Sequence, residues 1–477
     1  GSLFQSVMDA KERRAQGAHY TTEKNILKVI KPLFLDALWD EFRKLEALKT
    51  DRRRRLLEFQ QKLGGLRFLD PACGCGNFLI ISYRELRTLE IEVLRALRGK
   101  SEQLEADTAV LSVVDVDQFY GIEFSEFPAR IAETAMWMMD HIMNNRLSLE
   151  FGQSYVRIPL KKSPRIVHAD ALEVDWSTVL PPEKCSFVLG NPPFIGSKFQ
   201  TPEQRAQVRR IADLGGTGGS LDYVAAWFIL AGRYVGSRPT GIGFVATNSI
   251  TQGEQVAQLW PLLFDGSKLE IAFAHRTFAW GSDARGKAHV HVVIIGLTRA
   301  EHAPSERRLY SYEEIGGEPF ESKHSVLSPY LFDASQLRNP HVVVHETSAA
   351  LNGLPKLIIG SKPIDGGRYI FTPDERKEFL QREPGAKPLF RPFIGAEEFL
   401  NGRQRYILHL GDADPSLLKS LPMVRERIEE VRKVRAASKS APTRALARTP
   451  TLYHVNVIPT SPFLVGPEVS SERREYI

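Results

Sequence analysis

The sequence has few cysteines and no long apolar run. Its 477 residues include three cysteines, which is too few for a disulfide framework and indicates a protein of a reducing compartment. Cys73 and Cys75 lie close together and far from Cys185, a spacing that does not match the ligand sets of zinc sites, so we expect no metal ion. No stretch approaches the roughly 20 apolar residues that cross a bilayer, so we expect no membrane association.

The remaining composition is that of a globular protein with a basic balance. Hydrophobic residues make up 43% of the chain and charged residues 25%, and the length indicates two or three domains. The net charge of +6 permits a polyanionic partner without requiring one. Residues 431–467 contain no Asp or Glu but several Lys and Arg, which indicates either a solvated surface or contacts with phosphates.

Short apolar runs alternate with segments of helical periodicity and end in acidic or glycine-rich turns. This alternation predicts an α/β domain with a mostly parallel, Rossmann-like sheet, whose ligands bind at the carboxyl ends of the strands. After residue 330 the pattern becomes irregular and proline-rich, which predicts a smaller α+β region with short strands at 341–345 and 357–359. The predicted strands of the first domain are 66–69, 119–122, 165–168, 186–189, 243–246 and 289–297.

The first chemical motif is DPACGCGNFL at residues 70–79. Gly74 and Gly76 allow the backbone to turn tightly and to approach a ligand, because they lack a Cβ. Asp70 can accept hydrogen bonds from an ammonium group, and the helix that follows favours an anion at its first N–H groups. The third glycine of a dinucleotide fingerprint is replaced by Leu79, which argues against a dinucleotide.

Two more carboxylates follow predicted strands in the same way. Glu123 can accept both hydroxyls of a ribose, and Asp170 can accept from an adenine amino group. Together with Asp70 they predict a site for a nucleoside that carries an amino acid.

The most specific motif is GNPPF at residues 190–194. An exocyclic adenine nitrogen is a poor nucleophile, and acceptors for both of its N–H bonds turn its lone pair toward a methyl donor. The Asn191 side chain and the Pro192 carbonyl can supply these acceptors, Pro193 stiffens the backbone, and Phe194 can stack on the base. Such a pocket requires the base to leave the duplex. The alternative is a structural Pro-Pro loop with Asn191 as a cap.

The order of these motifs resembles that of the gamma-class DNA methyltransferases that act on the N6 amino group of adenine. Residues 17–22, GAHYTT, are similar to the motif that packs over the methionine end of the cofactor, and residues 218–226, 247–253 and 274–280 resemble the MmeI-type enzymes, which fuse restriction and modification. The resemblance implies S-adenosyl-L-methionine as cofactor. It implies that the cofactor is held by Tyr20, Thr21, Asp70, Ala72, Cys73, Gly74, Gly76, Asn77, Phe78, Glu123, Asp170 and Ala171.

The same resemblance assigns the target base to Asn191, Pro192, Pro193 and Phe194, with Phe278 or Trp280 either as a second wall or as ordinary core. It implies a site-specific DNA methyltransferase of a restriction-modification system that acts on double-stranded DNA in the bacterial cytoplasm. The expected division is an N-terminal helical segment at 1–65, a catalytic domain at 66–330, and a linker with a partial target-recognition region at 331–477. The MmeI-type enzymes carry a nuclease domain in the same polypeptide, and no nuclease motif is evident here. We therefore expect a nuclease domain in the full-length protein.

Two other functions stay open at this point. The N-P-P-aromatic motif also serves methylation of RNA and of protein amides, and the chain could instead be a DNA-binding specificity fragment that does not catalyse. Near the catalytic motif, a glycine-rich loop at 214–219 could close over substrate, and Lys198, Arg209 and Arg210 could contact phosphates.

Overall fold

The structure, a computed structural model, describes residues 21–98, 112–151, 162–215, 220–280, 290–347, 349, 353 and 357–466. The chain divides into two compact units, Gly1–Glu346 and Thr347–Ile477, each with its own hydrophobic core. Within the described ranges, no helix is long and apolar enough to span a membrane.

The first unit is built on a nine-stranded sheet in the order β3-β2-β1-β4-β5-β7-β6-β8-β9. Neighbours among β1 to β5 pair in parallel, which confirms the predicted α/β fold. β7 lies antiparallel between β5 and β6, so the second half of the sheet is mixed. The strands are β1 Phe68–Asp70, β2 Phe119–Glu123, β3 Arg165–His168, β4 Phe187–Gly190, β5 Gly241–Thr247, β6 Leu269–Trp280, β7 Val290–Arg299, β8 Arg307–Tyr312 and β9 Pro319–His324.

The helices of this unit share one continuous core with the sheet. α7 begins at a capping box formed by Thr201 and Gln204, which satisfies the first free N–H groups of the helix. The helices are α1 Glu23–Ile30, α2 Asp36–Glu46, α3 Arg52–Gly65, α4 Asn77–Arg98, α5 Glu126–Phe151, α6 Trp176–Val179, α7 Pro202–Ala212, α8 Ala225–Val235 and α9 Glu254–Pro261, with π-turns at Lys31–Leu35 and Leu262–Gly266.

The second unit is a small α+β fold around a three-stranded antiparallel sheet in the order β10-β12-β11. The strands predicted at 341–345 and 357–359 are wrong, because neither segment is a strand in the structure. Val344 is 72% exposed and Leu357 is 90% exposed, so their apolar side chains are not covered by a neighbouring element. The elements are β10 Ile370–Phe371, α10 Pro373–Arg382, β11 Phe390–Phe393, α11 Ala396–Asn401, β12 Arg405–Leu408, α12 Pro415–Ser420, α13 Pro422–Ala436 and α14 Ala441–Ala445.

The basic run in the second unit is partly structural. Arg435 on α13 is fully buried, and all five of its N–H donors bond to backbone carbonyls. These carbonyls belong to Pro363, Ile364, Leu446, Thr449 and Leu452. Arg435 therefore ties α13 to the segments 363–364 and 446–452 and is not available to a phosphate, whereas Arg432 and Lys433 are exposed.

Candidate active site

The acidic and asparagine motifs meet at one edge of the sheet. Asp70, Glu123 and Gly190 are the last residues of the parallel strands β1, β2 and β4, and Asp170 follows the end of β3 by two residues. Carboxyl ends of parallel strands lie at the same edge, where α/β sheets bind ligands. Strand order therefore brings together residues that are far apart in the chain.

Asp70 lies at the centre of this edge and is completely buried. Its Oδ1 accepts from the Ala72 N–H at 3.0 Å, while its Oδ2 is buried and has no hydrogen-bond partner among the described residues. Burial, and to a lesser extent the charge of Glu123, raises the pKa of Asp70 to about 8. A Cβ on Gly190 would lie 2.4 Å from Asp70 Oδ1, so glycine is required there. An unpaired carboxylate oxygen of this kind favours a cationic ligand.

The glycine-rich turn is tied to Glu123. Gly74 and Gly76 have φ values of +54° and +81°, which fits the left-handed region that glycine tolerates. The Gly74 N–H donates to Glu123 Oε2 at 2.9 Å, and the Ser125 N–H donates to Oε1 at 2.9 Å. Burial raises the pKa of Glu123 despite these bonds. Among the described residues, a Cβ on Gly74 would meet no atom within 4 Å, which leaves room for a ligand beside the backbone of the turn.

The other residues predicted in this turn divide between the open space and the core. Ala72 and Asn77 are half-buried. Phe78 is 3% exposed and Cys73 is 6% exposed. Cys73 fills the space above Gly121, since a Cβ there would lie 2.7 Å from its Sγ.

Asp170 is the third carboxylate of the site. Its Oδ1 accepts from the Leu172 N–H at 2.8 Å, and its Oδ2 accepts from Gln207 Nε2 at 2.8 Å. Ala171 is buried, and its carbonyl accepts from Trp176 Nε1. The local turn and α7 thus fix the orientation of the Asp170 carboxylate.

The Asn191 side chain has one occupied and one free polar atom. Asn191 Nδ2 donates to Thr21 Oγ1 at 3.2 Å. Its Oδ1 is buried and has no hydrogen-bond partner in the described part of the chain. Pro192 and Phe194 are buried, and Pro193 is half-buried. The bond to Thr21 therefore orients the amide and leaves Oδ1 able to accept a hydrogen bond from the amino group of a ligand.

The loop of residues 191–195 is held by residues that sequence reasoning missed. The Ile195 N–H donates to Asp222 Oδ1 at 3.0 Å, and the Ile195 carbonyl accepts from the Tyr223 N–H and from Gln200 Nε2. Asp222 is 2% exposed, and its Oδ2 accepts from the Thr247 hydroxyl at 3.2 Å. The loop is consequently fixed immediately after Phe194.

The same segment, 222–227 at the start of α8, is also linked by hydrogen bonds to the two segments predicted to bind the cofactor, around Asp70 and Asp170. The Tyr223 hydroxyl donates to Gln207 Oε1 at 2.8 Å, and Gln207 in turn holds Asp170. Trp227 Nε1 donates to the Pro71 carbonyl at 3.1 Å. Hydrogen bonds from this one segment therefore fix all three motifs relative to each other. The signal that could have found it is the polar Asp-Tyr pair at the beginning of an otherwise apolar helix.

Comparison with known proteins places this site in a family. Residues 45–311 match the family model described as MmeI, DNA-methyltransferase domain, and residues 338–477 match that described as MmeI, target recognition domain. The chain belongs to the MmeI family.

Individual relatives agree with this assignment. The chain is 37% identical to DNA methyltransferase A of Bacillus subtilis (strain 168), over 100% of this chain and 52% of that protein. It is 47% identical to the type IIL restriction-modification enzyme MmeI solved in complex with DNA, with a TM-score of 0.85, covering 96% of this chain and 60% of that one. The chain thus spans about half to three fifths of the length of these relatives.

Some residues predicted for the site lie elsewhere or outside the described ranges. Phe278 is 1% exposed and stacks on Tyr312 with ring centroids 5.0 Å apart, so it is part of the core of this MmeI-type domain. Lys198, Arg209 and Arg210 are all exposed, but Arg210 is paired with Glu173 at 2.6 Å. Tyr20 and residues 216–219 of the glycine-rich loop lie outside the described residues.

Proposed function

We propose that this chain transfers a methyl group from S-adenosyl-L-methionine to N6 of a flipped-out adenine in double-stranded DNA. We further propose that it is the modification part of a restriction-modification system in the bacterial cytoplasm. The observation that carries the proposal is the buried Asn191 Oδ1, an acceptor without a partner in the described chain, on a loop fixed beside the strand-end carboxylates. The match of residues 338–477 to a target recognition domain favours DNA over RNA or a protein amide.

The carboxylates and the glycine-rich turn fit the cofactor. The unpartnered Asp70 Oδ2 suits its ammonium group, and the open backbone at Gly74 suits a ligand that approaches closely. Glu123 and Asp170 would hold the ribose and the adenine, and the exposed Phe124 ring follows Glu123 directly. When bound, the cofactor supplies an electrophilic methyl group on a sulfonium. The proposed set stays as predicted from the sequence: Tyr20, Thr21, Asp70, Ala72, Cys73, Gly74, Gly76, Asn77, Phe78, Glu123, Asp170 and Ala171.

The target base would be held by the loop of residues 191–194. Asn191 Oδ1 and the Pro192 carbonyl accept hydrogen bonds from the two N–H groups of the adenine amino group. These bonds raise the electron density on the nitrogen that attacks the methyl group. Pro193 keeps the Pro192 carbonyl direction fixed, and Phe194 stacks on the base. Preorganised acceptors of this kind need no general base, because the proton can leave after the transfer.

Thr21 acts in this proposal as a positioning residue. Thr21 is 4% exposed, and its hydroxyl accepts from Asn191 Nδ2. The two ends of the Asn191 amide are thereby distinguished, and Oδ1 faces the substrate. A Thr21→Val variant should lower kcat on DNA, while a Thr21→Ser variant should retain it. Equal activity of all three proteins would remove this role.

The experiment that tests the function is transfer of labelled methyl groups from S-adenosyl-L-methionine to mixed genomic DNA, followed by nucleoside analysis. We expect N6-methyladenine with the parent chain and none with Asn191→Ala. The variant should still bind the cofactor, because the carboxylates are unchanged. N4-methylcytosine as the product would contradict the adenine assignment, and transfer to RNA or protein but not to DNA would contradict the substrate class.

We further propose that the full-length protein carries a nuclease domain. For the present chain, we retain the proposed division into segments 1–65, 66–330 and 331–477. Lys198, Arg209 and Lys433 are exposed cations that suit phosphate contacts. Because such contacts release counterions, DNA affinity should fall steeply with salt concentration.

A further inference from the structure

Directly after the catalytic loop, the chain presents a large aromatic side chain to solvent. Phe199 is 84% exposed, whereas Phe194, five residues earlier, is 8% exposed. At no more than about 3.6 Å per residue, Phe199 lies within roughly 18 Å of Phe194. The ring is too exposed to contribute to the core, and its position directly after residues 191–194 places it close to the proposed base pocket.

The turn that carries Phe199 is anchored on both sides. The Phe199 N–H donates to the Gly196 carbonyl at 2.8 Å. Gln200, 7% exposed, donates from Nε2 to the carbonyls of Ile195 and Leu221, both at 2.9 Å. Arg205 donates to the Ser197 carbonyl at 2.9 Å. The backbone of the turn is therefore fixed, and the Phe199 ring projects from a rigid base.

The surroundings indicate what the ring would meet. Lys198, the residue before Phe199, is exposed. A cation followed by an exposed aromatic ring suits a nucleic acid, which has phosphates outside and stacked bases inside. Proteins that distort DNA insert apolar wedges between base steps, and a rigidly held ring loses little conformational entropy on insertion. A protein partner would not account for a position directly after the base-binding loop.

From this juxtaposition we propose that Phe199 inserts into the duplex beside the target base pair and stabilises the gap left when the adenine leaves the stack. This inference rests on the proposed function, since it requires a base that is flipped from double-stranded DNA. Phe194 holds the base that has left, and Phe199 stacks on the bases that remain. Lys198 contacts the phosphate next to them.

The test compares Phe199→Ala with the parent on two duplexes that contain the recognition site, located by mapping the methylated adenines. In one duplex the target is paired with thymine, and in the other it faces an abasic position, where opening costs less. We expect kcat/KM of the variant to fall about tenfold on the paired duplex and to stay within about twofold of the parent on the other. Equal loss on both duplexes, or no loss on either, would overturn the proposal.

Two controls separate insertion from general damage. Phe199→Leu keeps an apolar wedge and should recover most of the activity, and Phe320→Ala removes another exposed ring, 52% exposed on β9, and should change nothing. The fluorescence of 2-aminopurine at the target position reports base opening without turnover. Parent binding should raise it and Phe199→Ala should lower that rise. If the parent chain methylates the mapped adenine but Phe199→Ala raises the fluorescence as much as the parent does, this inference fails while the proposed function stands.

Discussion

Asp222 allows a sharp test of how the proposed base-binding loop, residues 191–194, is positioned. The buried carboxylate accepts from the N–H groups of Ile195 and Val224 at 3.0 and 3.2 Å and from the Thr247 hydroxyl at 3.2 Å. Asp222→Ala removes all three acceptor contacts. Asp222→Asn keeps an oxygen for the two backbone donors and turns its amide toward Thr247 Oγ1, which can accept. The pair of variants therefore separates loss of the acceptor from loss of the charge.

The magnitude follows from the number of donors left behind. A buried N–H group that loses its acceptor costs about 1–3 kcal/mol, so two of them put the loss for Asp222→Ala at about 2–6 kcal/mol. The Thr247 hydroxyl can turn to Ser249 Oγ, 2.6 Å away, and adds little. Asp222→Asn should stay within about 1 kcal/mol of the parent, because each donor keeps a partner. It also removes a carboxyl whose pKa is raised by burial.

Urea unfolding of the first unit, followed by tryptophan fluorescence, measures this difference, and methyl transfer at saturating cofactor measures its effect on chemistry. Displacement of the base-binding loop by about 1 Å should lower kcat by about 100-fold in Asp222→Ala. The cofactor Kd should change little, because Asp70 and Glu123 stay in place. If Asp222→Ala and Asp222→Asn have the same stability and the same kcat, the hydrogen bonds to Ile195 and Val224 do not hold the loop.

Three further predictions concern single residues. Asp70→Asn should flatten the dependence of stability on pH. Burial raises the pKa of the Asp70 carboxyl to about 8, so its contribution to stability is fully present below its unfolded pKa. This contribution is lost as pH rises through about 8. Urea midpoints at about pH 5 and pH 9 should therefore differ less in the variant than in the parent. Gly190→Ala should abolish cofactor binding in calorimetry, because its Cβ would lie 2.4 Å from Asp70 Oδ1; wild-type affinity would contradict this. Arg435→Ala should destabilise the second unit by about 3 kcal/mol or more by leaving five carbonyls without their donors, whereas Arg432→Ala should leave its thermal unfolding unchanged.

The parts of the fold that sequence reasoning predicted well are those in which neighbours in the chain are also neighbours in space. Strand and turn motifs such as 68–76 combine an apolar run, an acid and glycines within a few residues, so their structure is dictated locally. The strands predicted at 341–345 and 357–359 failed because an apolar run becomes a strand only if another strand pairs with it. The antiparallel position of β7 likewise depends on pairing that composition does not reveal.

The missed residues of the site act across long separations. The bond from Trp227 to the Pro71 carbonyl spans 156 residues, and that from Ile195 to Asp222 spans 27. No periodicity or spacing rule relates such positions before the fold is known. Arg435 shows the converse, since a basic run does not distinguish a buried arginine that bonds five carbonyls from an exposed one. That the motif residues touch ligands stays a prediction from the sequence, and the structure adds the groups that hold these residues in position.

The charges of the site separate its two proposed ligands. Burial raises the pKa of Asp70, Glu123 and Asp222, because the loss of water around these carboxyls outweighs the hydrogen bonds that they accept. The positive charge of the proposed methyl donor would compensate for the cost of burying these negative charges, whereas the negative charge of a phosphate would increase that cost. The exposed cations Lys198 and Arg209 lie outside this buried group of acids. Binding of the donor should therefore reduce the repulsion that DNA meets at the pocket, and by reciprocity DNA should raise the affinity for the donor by the same factor.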